Sequence, residues 1–338
     1  MNDSPFQIIQ GDVIEVLRTL PAESVHCCVT SPPYWGLRDY GTGTWDGGDP
    51  ACDHRIRFDS RADRPLGKLH GGHETIDAAT AIIREQCPKC GARRVDKQIG
   101  LERTVDEYVA KMVEVFDEVR RVLHPDGTLW LNLGDSYCSI TKGSSSYSEK
   151  QDSNAGSRFA PLGPGLKPKD LAGVPWRTAI ALQASGWWLR SDLIWHKPNV
   201  MPESVTDRPT KSHEYVFLLA KNRHYYYDAD AVGEPTEGQQ RDGRPTQEKR
   251  NRRTVLSINS YPSPETHFAT FPIELPEICI RAGSPECGVV LDPFSGAGTT
   301  GLACLKTNRR YLGIELNPEY VQMAYERARK HYPLLFAA

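Results

Sequence analysis

The segment that most narrows the choice of fold is VVLDPFSGAGTTGLACLKTNRRYLGIEL, residues 289 to 316. An apolar run, Val289 to Asp292, meets a glycine-rich turn. A helix-forming stretch, Thr299 to Thr307, follows, and then a second apolar run, Arg310 to Glu315, that ends on an acid. Strand, glycine turn, helix and strand in this order predict one unit of a doubly wound α/β sheet. In such sheets ligands sit beyond the carboxyl ends of the strands, where glycines let the backbone approach closely and a second-strand acid accepts hydrogen bonds from ribose hydroxyls. Gly296, Ala297 and Gly298 are the candidates for that approach, and Glu315 for the ribose.

Asp292 and Phe294 stand just before the glycines. A fixed carboxylate there repels the pyrophosphate that a dinucleotide turn seats at a helix N-terminus. It suits the cationic end of S-adenosylmethionine instead.

A second segment, VTSPPYWG at 29 to 36, follows another apolar run, Val25 to Thr30. An exocyclic amine on a nucleobase is conjugated with its ring and is a poor nucleophile, so it must be held in line with the methyl it attacks. Ser31 offers a hydroxyl oxygen and Pro32 a carbonyl as acceptors for the two amine hydrogens, and the paired prolines Pro32 and Pro33 stiffen the loop. Tyr34 offers a face on which a base rotated out of a duplex can stack. A proline turn with an aromatic core anchor is the plainer reading of the same peptide. Methylation at a ring carbon needs a thiolate, and Cys27 and Cys28 fall inside the predicted strand, where core packing is expected, so direct transfer is preferred.

Elsewhere the chain alternates strands and helices. Strands are predicted at Phe6 to Ile9, Thr128 to Leu133, Leu189 to His196 and Glu214 to Ala220. Helices are predicted at Val13 to Leu20, from a Thr104 cap to about Leu123 with Pro125-Asp126-Gly127 as terminator, at Trp176 to Ala184, at Pro272 to Ala282, and from Pro318. Residues 139 to 170, rich in Ser, Gly, Pro and Lys, predict a mobile loop able to close over a substrate. No apolar run approaches the roughly 20 residues that span a bilayer. With no secretory leader in MNDSPFQIIQGD, a cytoplasmic protein of bacterial, archaeal or phage origin is expected, without membrane contact.

The 338 residues carry a formal charge of only -2, which argues weakly against a polyanionic partner, but local distribution matters more. Arg241, Arg244, Lys249, Arg250, Arg252 and Arg253 stand against Asp242 and Glu248. They form a candidate DNA-binding patch whose plainer reading is a solvated loop.

Residues 36 to 97 break the α/β rhythm and predict an insertion. Within it Cys52-x-His54 and Cys87-Pro-Lys-Cys90-Gly91 supply four ligands in two close pairs, the composition of a tetrahedral structural zinc site. His70 and His73 are rival ligands, and free thiols without a metal are the plainer reading.

On SPPY at 31 to 34 and DPFSGAGTT at 292 to 300, the chain resembles the amino-methylating DNA methyltransferases, which alkylate cytosine at N4 or adenine at N6. Catalytic peptide first and cofactor motif last is similar to the family's beta group. Weaker matches are HFATFPIELPEICIRAG at 267 to 283, RRVLHPDGTLWLNLGDSY at 120 to 137, and SDLIWHKPNVMPESV followed by KSHEYVFLLAK between 191 and 221. The resemblance implies a Rossmann-like, circularly permuted S-adenosylmethionine-dependent fold; the small zinc-binding insertion set into it is read from the Cys/His pairs alone. It assigns Ser31, Pro32, Pro33 and Tyr34 to catalysis. Around the cofactor it places Phe271, Asp292, Pro293, Phe294, Ser295, Gly296, Gly298, Thr299, Glu315 and Asn317, with Asp135 near it.

Residues 1–35 and 98–227 are then the catalytic part, 36–97 the zinc insertion, 228–266 the target-recognition segment and 267–338 the cofactor part. Double-stranded DNA, a cognate restriction endonuclease and a monomer or homodimer follow as expectations. Ser at the first motif position favours cytosine. Adenine-N6 transfer, methylation of a protein glutamine and a zinc-stabilised DNA-binding module without catalysis stay open as alternatives.

Overall fold

The structure, a computed structural model, describes residues 4–36, 42–54, 86–138, 165–236, 249–260 and 271–336. Its strands are β1 (Phe6–Gln10), β2 (Val25–Thr30), β3 (Thr44–Asp46), β4 (Arg93–Val95), β5 (Leu123–Leu133), β6 (Trp188–His196), β7 (His213–Ala220), β8 (Glu234–Pro235), β9 (Lys249–Arg250), β10 (Val255–Ser257), β11 (Val289–Asp292) and β12 (Arg310–Glu315). Its helices are α1 (Val13–Thr19), α2 (Val105–Val122), α3 (Val174–Ala184), α4 (Ala229–Val232), α5 (Glu274–Gly283), α6 (Thr299–Lys306) and α7 (Pro318–His331).

Eight strands form one sheet in the order β1-β12-β11-β2-β5-β7-β6-β10. β7 runs antiparallel to both β5 and β6, and the other pairings are parallel. The strand that feeds the glycine turn, β11, therefore lies between β12 and β2, beside the strand that feeds SPPY. Val290 pairs with Cys27 and Leu291 with Cys28. Distance in the chain vanishes in the sheet.

Buried helices cover both faces. On one, α2 turns Tyr108, Met112, Val115, Phe116, Val119 and Val122 into the core, each large apolar side chain contributing about 1.5–3 kcal/mol by leaving water. Its entry is fixed by a capping box, in which Thr104 accepts from the Glu107 backbone and the Glu107 side chain answers the Thr104 backbone. On the other face α5, α6 and α7 bury Leu275, Ile280, Leu302, Ala303 and Ala324 around Phe6 and Tyr311.

Three sequence expectations shift. The chain enters β5 at Leu123, straight from α2, where a Pro-Asp-Gly stop had pointed to a strand beginning at Thr128. The irregular start is accommodated by a register shift against β2 between Val25 and Cys27, which tolerates Pro125. The insertion, read as irregular, contains the antiparallel pair β3–β4. And β10, within the stretch assigned to target recognition, joins the main sheet beside β6. Most of the expected 139–170 loop lies outside the described residues. No helix among them is long and apolar enough to cross a membrane.

Candidate active site

A cavity of about 360 Å³ opens at the carboxyl edge of the central strands, within the range of small-molecule sites. Asp292, Pro293, Phe294, Ser295, Gly296 and Thr299 form one wall, and Glu315 and Asn317, at the end of β12, adjoin it. Ser31, Pro32, Pro33 and Tyr34 form the opposite one, and Phe271 closes the cavity from the approach to α5.

The two loops are physically tied. Thr30 Oγ1, one residue before the catalytic peptide, donates to Asp292 Oδ1 at 2.6 Å across a sequence separation of 262. Phe294 N donates to the same oxygen at 3.1 Å. Asp292 is only 2% exposed, and burial raises its pKa to about 6 against the hydrogen bonds from Thr30, Thr300 and the Phe294 amide. It is ionised at neutral pH, at a cost, and its hydrogen-bond donors are neutral. An enclosed carboxylate of this kind fits a cationic ligand.

Glu315 is held by the turn it faces. Its two oxygens accept from Gly296 N and Asn317 N, each at 2.8 Å, and burial raises its pKa. Asn317 Oδ1 caps α7 by accepting from Glu319 N. Gly296 takes φ of +50° in the cavity wall, a conformation that favours glycine. Gly298 does something else. It lies outside the cavity lining, at φ +75°, where an added Cβ would stand 2.8 Å from Ala324 Cβ; it allows α6 and α7 to meet.

Asp135 is likewise not in the cavity wall. Its Oδ1 accepts from Ser136 N at 2.9 Å and from Val174 N at 3.0 Å, so it anchors the start of α3. The expectation that it lies against a cofactor is not met by this geometry.

On the catalytic side the structure adds residues that pattern reading missed. Tyr34 OH donates to Glu214 Oε2 at 2.7 Å, Ser31 Oγ donates to Tyr34 OH at 3.3 Å, and Asn132 Nδ2 donates to Glu214 Oε2 at 3.2 Å. Lys197 pairs with the other Glu214 oxygen. Burial and the Glu214 charge push the Tyr34 pKa upward, so its phenol stays protonated. The Tyr34 ring packs against Gly134, where an added Cβ would stand 2.6 Å from Cε2. Asn132, Glu214 and Trp195 also line the cavity. The one available signal for Glu214 was an acid at the head of the apolar run Tyr215 to Ala220.

Cys27 and Cys28 are fully buried, and burial pushes the Cys27 thiol up to about 12 and that of Cys28 upward as well. Neither lines the cavity, so neither can act as a thiolate nucleophile there.

In the insertion, the ligand atoms of Cys52, His54, Cys87 and Cys90 lie within 4.8 Å of one another. The rivals His70 and His73 lie outside the described residues. So do Arg241 and Arg244. Of the rest of the basic stretch, Arg250 and Arg253 pair with Glu234, Arg252 donates to the Val232 carbonyl and Lys249 to that of Asp230. These four form a small pinned structure around β8 and β9, with Arg253 still 70% exposed.

A doubly wound sheet in which a carboxylate-bearing glycine turn faces a Ser-Pro-Pro-Tyr loop across one cavity is a layout suited to group transfer. The chain belongs to the amino-methylating DNA methylases: the family model N6_N4_Mtase, described as DNA methylase, matches residues 25–326.

Among relatives, the Type II methyltransferase M.SmaI of Serratia marcescens is 44% identical over 324 residues, covering 95% of this chain and 90% of its own. M.Cfr9I of Citrobacter freundii is 43% identical over 320 residues, covering 95% and 86%. Among solved structures, the cytosine-N4-specific PvuII DNA methyltransferase superposes with a TM-score of 0.57 at 19% identity over 95% of this chain and 86% of that one. TTHA0409 of Thermus thermophilus, a putative DNA modification methylase solved with S-adenosyl-L-methionine, gives 0.54 at 23% identity over 96% and 95%. At these identities the structural likeness establishes the fold.

Proposed function

We infer that the chain transfers a methyl group from S-adenosylmethionine to the exocyclic N4 of cytosine in duplex DNA. The observation that carries this reading is the Thr30–Asp292 hydrogen bond, which locks the acceptor loop to the donor turn in one cavity. The donor, when bound, supplies an electrophilic methyl on a sulfonium.

Asp292 offers that cation a carboxylate, Glu315 and Asn317 face the ribose side, and Gly296 lets the backbone approach. Ser31 Oγ and the Pro32 carbonyl accept from the two amine hydrogens and turn the nitrogen lone pair toward the methyl. Tyr34, held by Glu214, shapes the base side. The amine attacks directly and then sheds a proton. The buried thiols support direct transfer over a covalent ring adduct. Serine at position 31 and the cytosine-N4-specific PvuII fold neighbour favour cytosine; adenine N6 is the second reading, since the same acceptors serve either amine.

The late position of the donor turn in the chain supports the circularly permuted, beta-group arrangement. The four-residue Cys/His cluster supports one structural zinc ion in a 36–97 insertion. The Type II relatives support a role beside a cognate restriction endonuclease in a bacterial-type cytoplasm, with target reading shared between 228–266 and the insertion.

The test is to methylate duplex DNA with the purified chain and digest it to nucleosides for mass spectrometry. N4-methylcytosine is expected; N6-methyladenine would replace the cytosine reading by the adenine one. Ser31→Ala should lose at least tenfold in rate with donor affinity intact, and wild-type turnover in it would refute the amine-holding role.

A further inference from the structure

The insertion does more than hang from the sheet. The segment on which it returns to the sheet, Lys97 with the following Gln98 and Ile99, lines the cavity together with Thr42 on its outgoing arm, and Lys97 pairs with Glu15 of α1, whose N-terminal Asp12 and Val13 line the same cavity. Asp96 knots the two arms together: Oδ1 accepts from Thr42 Oγ1 and Gln98 N, both at 3.0 Å, and Oδ2 pairs with Arg94 at 2.6 Å in a nearly enclosed contact. Gly36 N donates to the Gly100 carbonyl at 2.9 Å, so the arm is stitched to the backbone just after the catalytic peptide.

What orders the arms themselves is the question. β3 and β4 are three residues each, and a two-stranded ribbon of that length does not stand alone in water. At its outer end lie the four Cys/His side chains, whose ligand atoms are all within 4.8 Å of one another, close enough to converge on one ion. Four ligands at 2.3 Å for sulfur and 2.0–2.1 Å for nitrogen, set tetrahedrally, stand about 3.8 Å apart for S···S and about 3.6 Å for S···N. Cys52 Sγ and Cys87 Sγ are 3.9 Å apart and Cys90 Sγ and His54 Nδ1 3.5 Å apart. The first distance is far beyond a disulfide bond.

The knuckle is formed accordingly. Cys87 N donates to the Ala92 carbonyl and Gly91 N to that of Cys87, with Gly91 at φ +75°. Trp45 of β3 stacks on the His54 ring at 4.7 Å and 15°, which ties the cluster to the ribbon.

We propose that one zinc ion on Cys52, His54, Cys87 and Cys90 controls the affinity of the donor pocket, by ordering the arm that forms its Thr42, Lys97, Gln98 and Ile99 wall. The proposal rests on the reading of the cavity as the methyl-donor site.

The experiment uses the full chain with S-adenosylhomocysteine as the probe. Zinc content is measured by elemental analysis, and probe affinity by calorimetry before and after the ion is removed with a thiol-binding mercurial and chelator. Both are measured again after the mercurial is displaced by excess thiol and zinc is restored. One zinc per chain is expected, with at least tenfold weaker probe binding on removal and recovery on restoration.

Cys90→Ser should reproduce the loss while circular dichroism and the urea midpoint of the main sheet stay near wild type. If that variant fails to fold, reversible removal decides the matter. A zinc-free chain that takes up none overturns the proposal, as does a zinc-loaded chain whose probe affinity survives removal within twofold. A zinc-loaded chain that never binds the probe overturns the donor-site reading itself.

Discussion

Asp292→Asn should make the free protein more stable at neutral pH while disabling its donor site. The Asp292 carboxyl is 2% exposed and titrates at about 6 against an ordinary 3.8. That difference corresponds to about 3 kcal/mol of penalty on the charged form. Because the folded value lies above the unfolded one, the native state binds the extra proton. Its relative stabilisation is complete below about 3.8 and is gone above about 6. At pH 7 the wild-type chain therefore carries the full penalty.

Asparagine does not titrate and keeps an oxygen for Thr30 Oγ1 and Phe294 N. Urea unfolding of both proteins from pH 4 to pH 7, without ligand, should show the variant gaining about 2.4 kcal/mol on wild type across that window, since the unfolded carboxyl is already partly ionised at pH 4, whatever their offset there. Adding S-adenosylmethionine to 100 times its dissociation constant should then stabilise wild type by about 2.7 kcal/mol and the variant by much less. A stability difference that is flat with pH, or a variant that gains as much from the ligand, would refute the idea that this carboxylate is kept charged for a cation.

Two other substitutions test the packing behind the glycine turn and the hydrogen bonds around Tyr34. Gly298→Ala places a methyl 2.8 Å from Ala324 Cβ at φ +75°, so it should cost about 1–3 kcal/mol in urea unfolding, and an unchanged midpoint would count against the packing role. Glu214→Gln removes the counter-charge of Lys197 and weakens the acceptor for Tyr34. A charged hydrogen bond worth about 1.5–3 kcal/mol predicts a roughly 10- to 100-fold slower single-turnover methylation; S-adenosylhomocysteine affinity should hold, and a matching loss there would place Glu214 on the donor side.

The two walls were legible because each is carried by a contiguous peptide: DPFSGAG needs its order for the turn to exist, and SPPY needs its prolines to stay stiff. Glu214 was not, because its position depends on strand direction. β7 runs against its neighbours, so its first residues reach the edge where β2, β5 and β11 end; no local pattern encodes that reversal. Asp135 shows the opposite error. Its place after a strand suits a ligand, yet the first amide of α3, which has no partner within the helix, takes its carboxylate. The start of β5 was misplaced since Pro-Asp-Gly marks a turn in isolation, whereas Lys221 N and Tyr226 N reach the Gly127 and Asp126 carbonyls from afar.

The position of β1 at the sheet edge has a consequence for biosynthesis. Among the described residues its one strand neighbour is β12, Phe6 lying opposite Tyr311, and the open side of β2 is filled by β11. A growing polypeptide therefore emerges with its first strand and one flank of its second waiting for β11 and β12 to be translated. Such bare edges invite adventitious pairing with other chains, and β1 and the open flank of β2 stay exposed to it until β11 and β12 have been made.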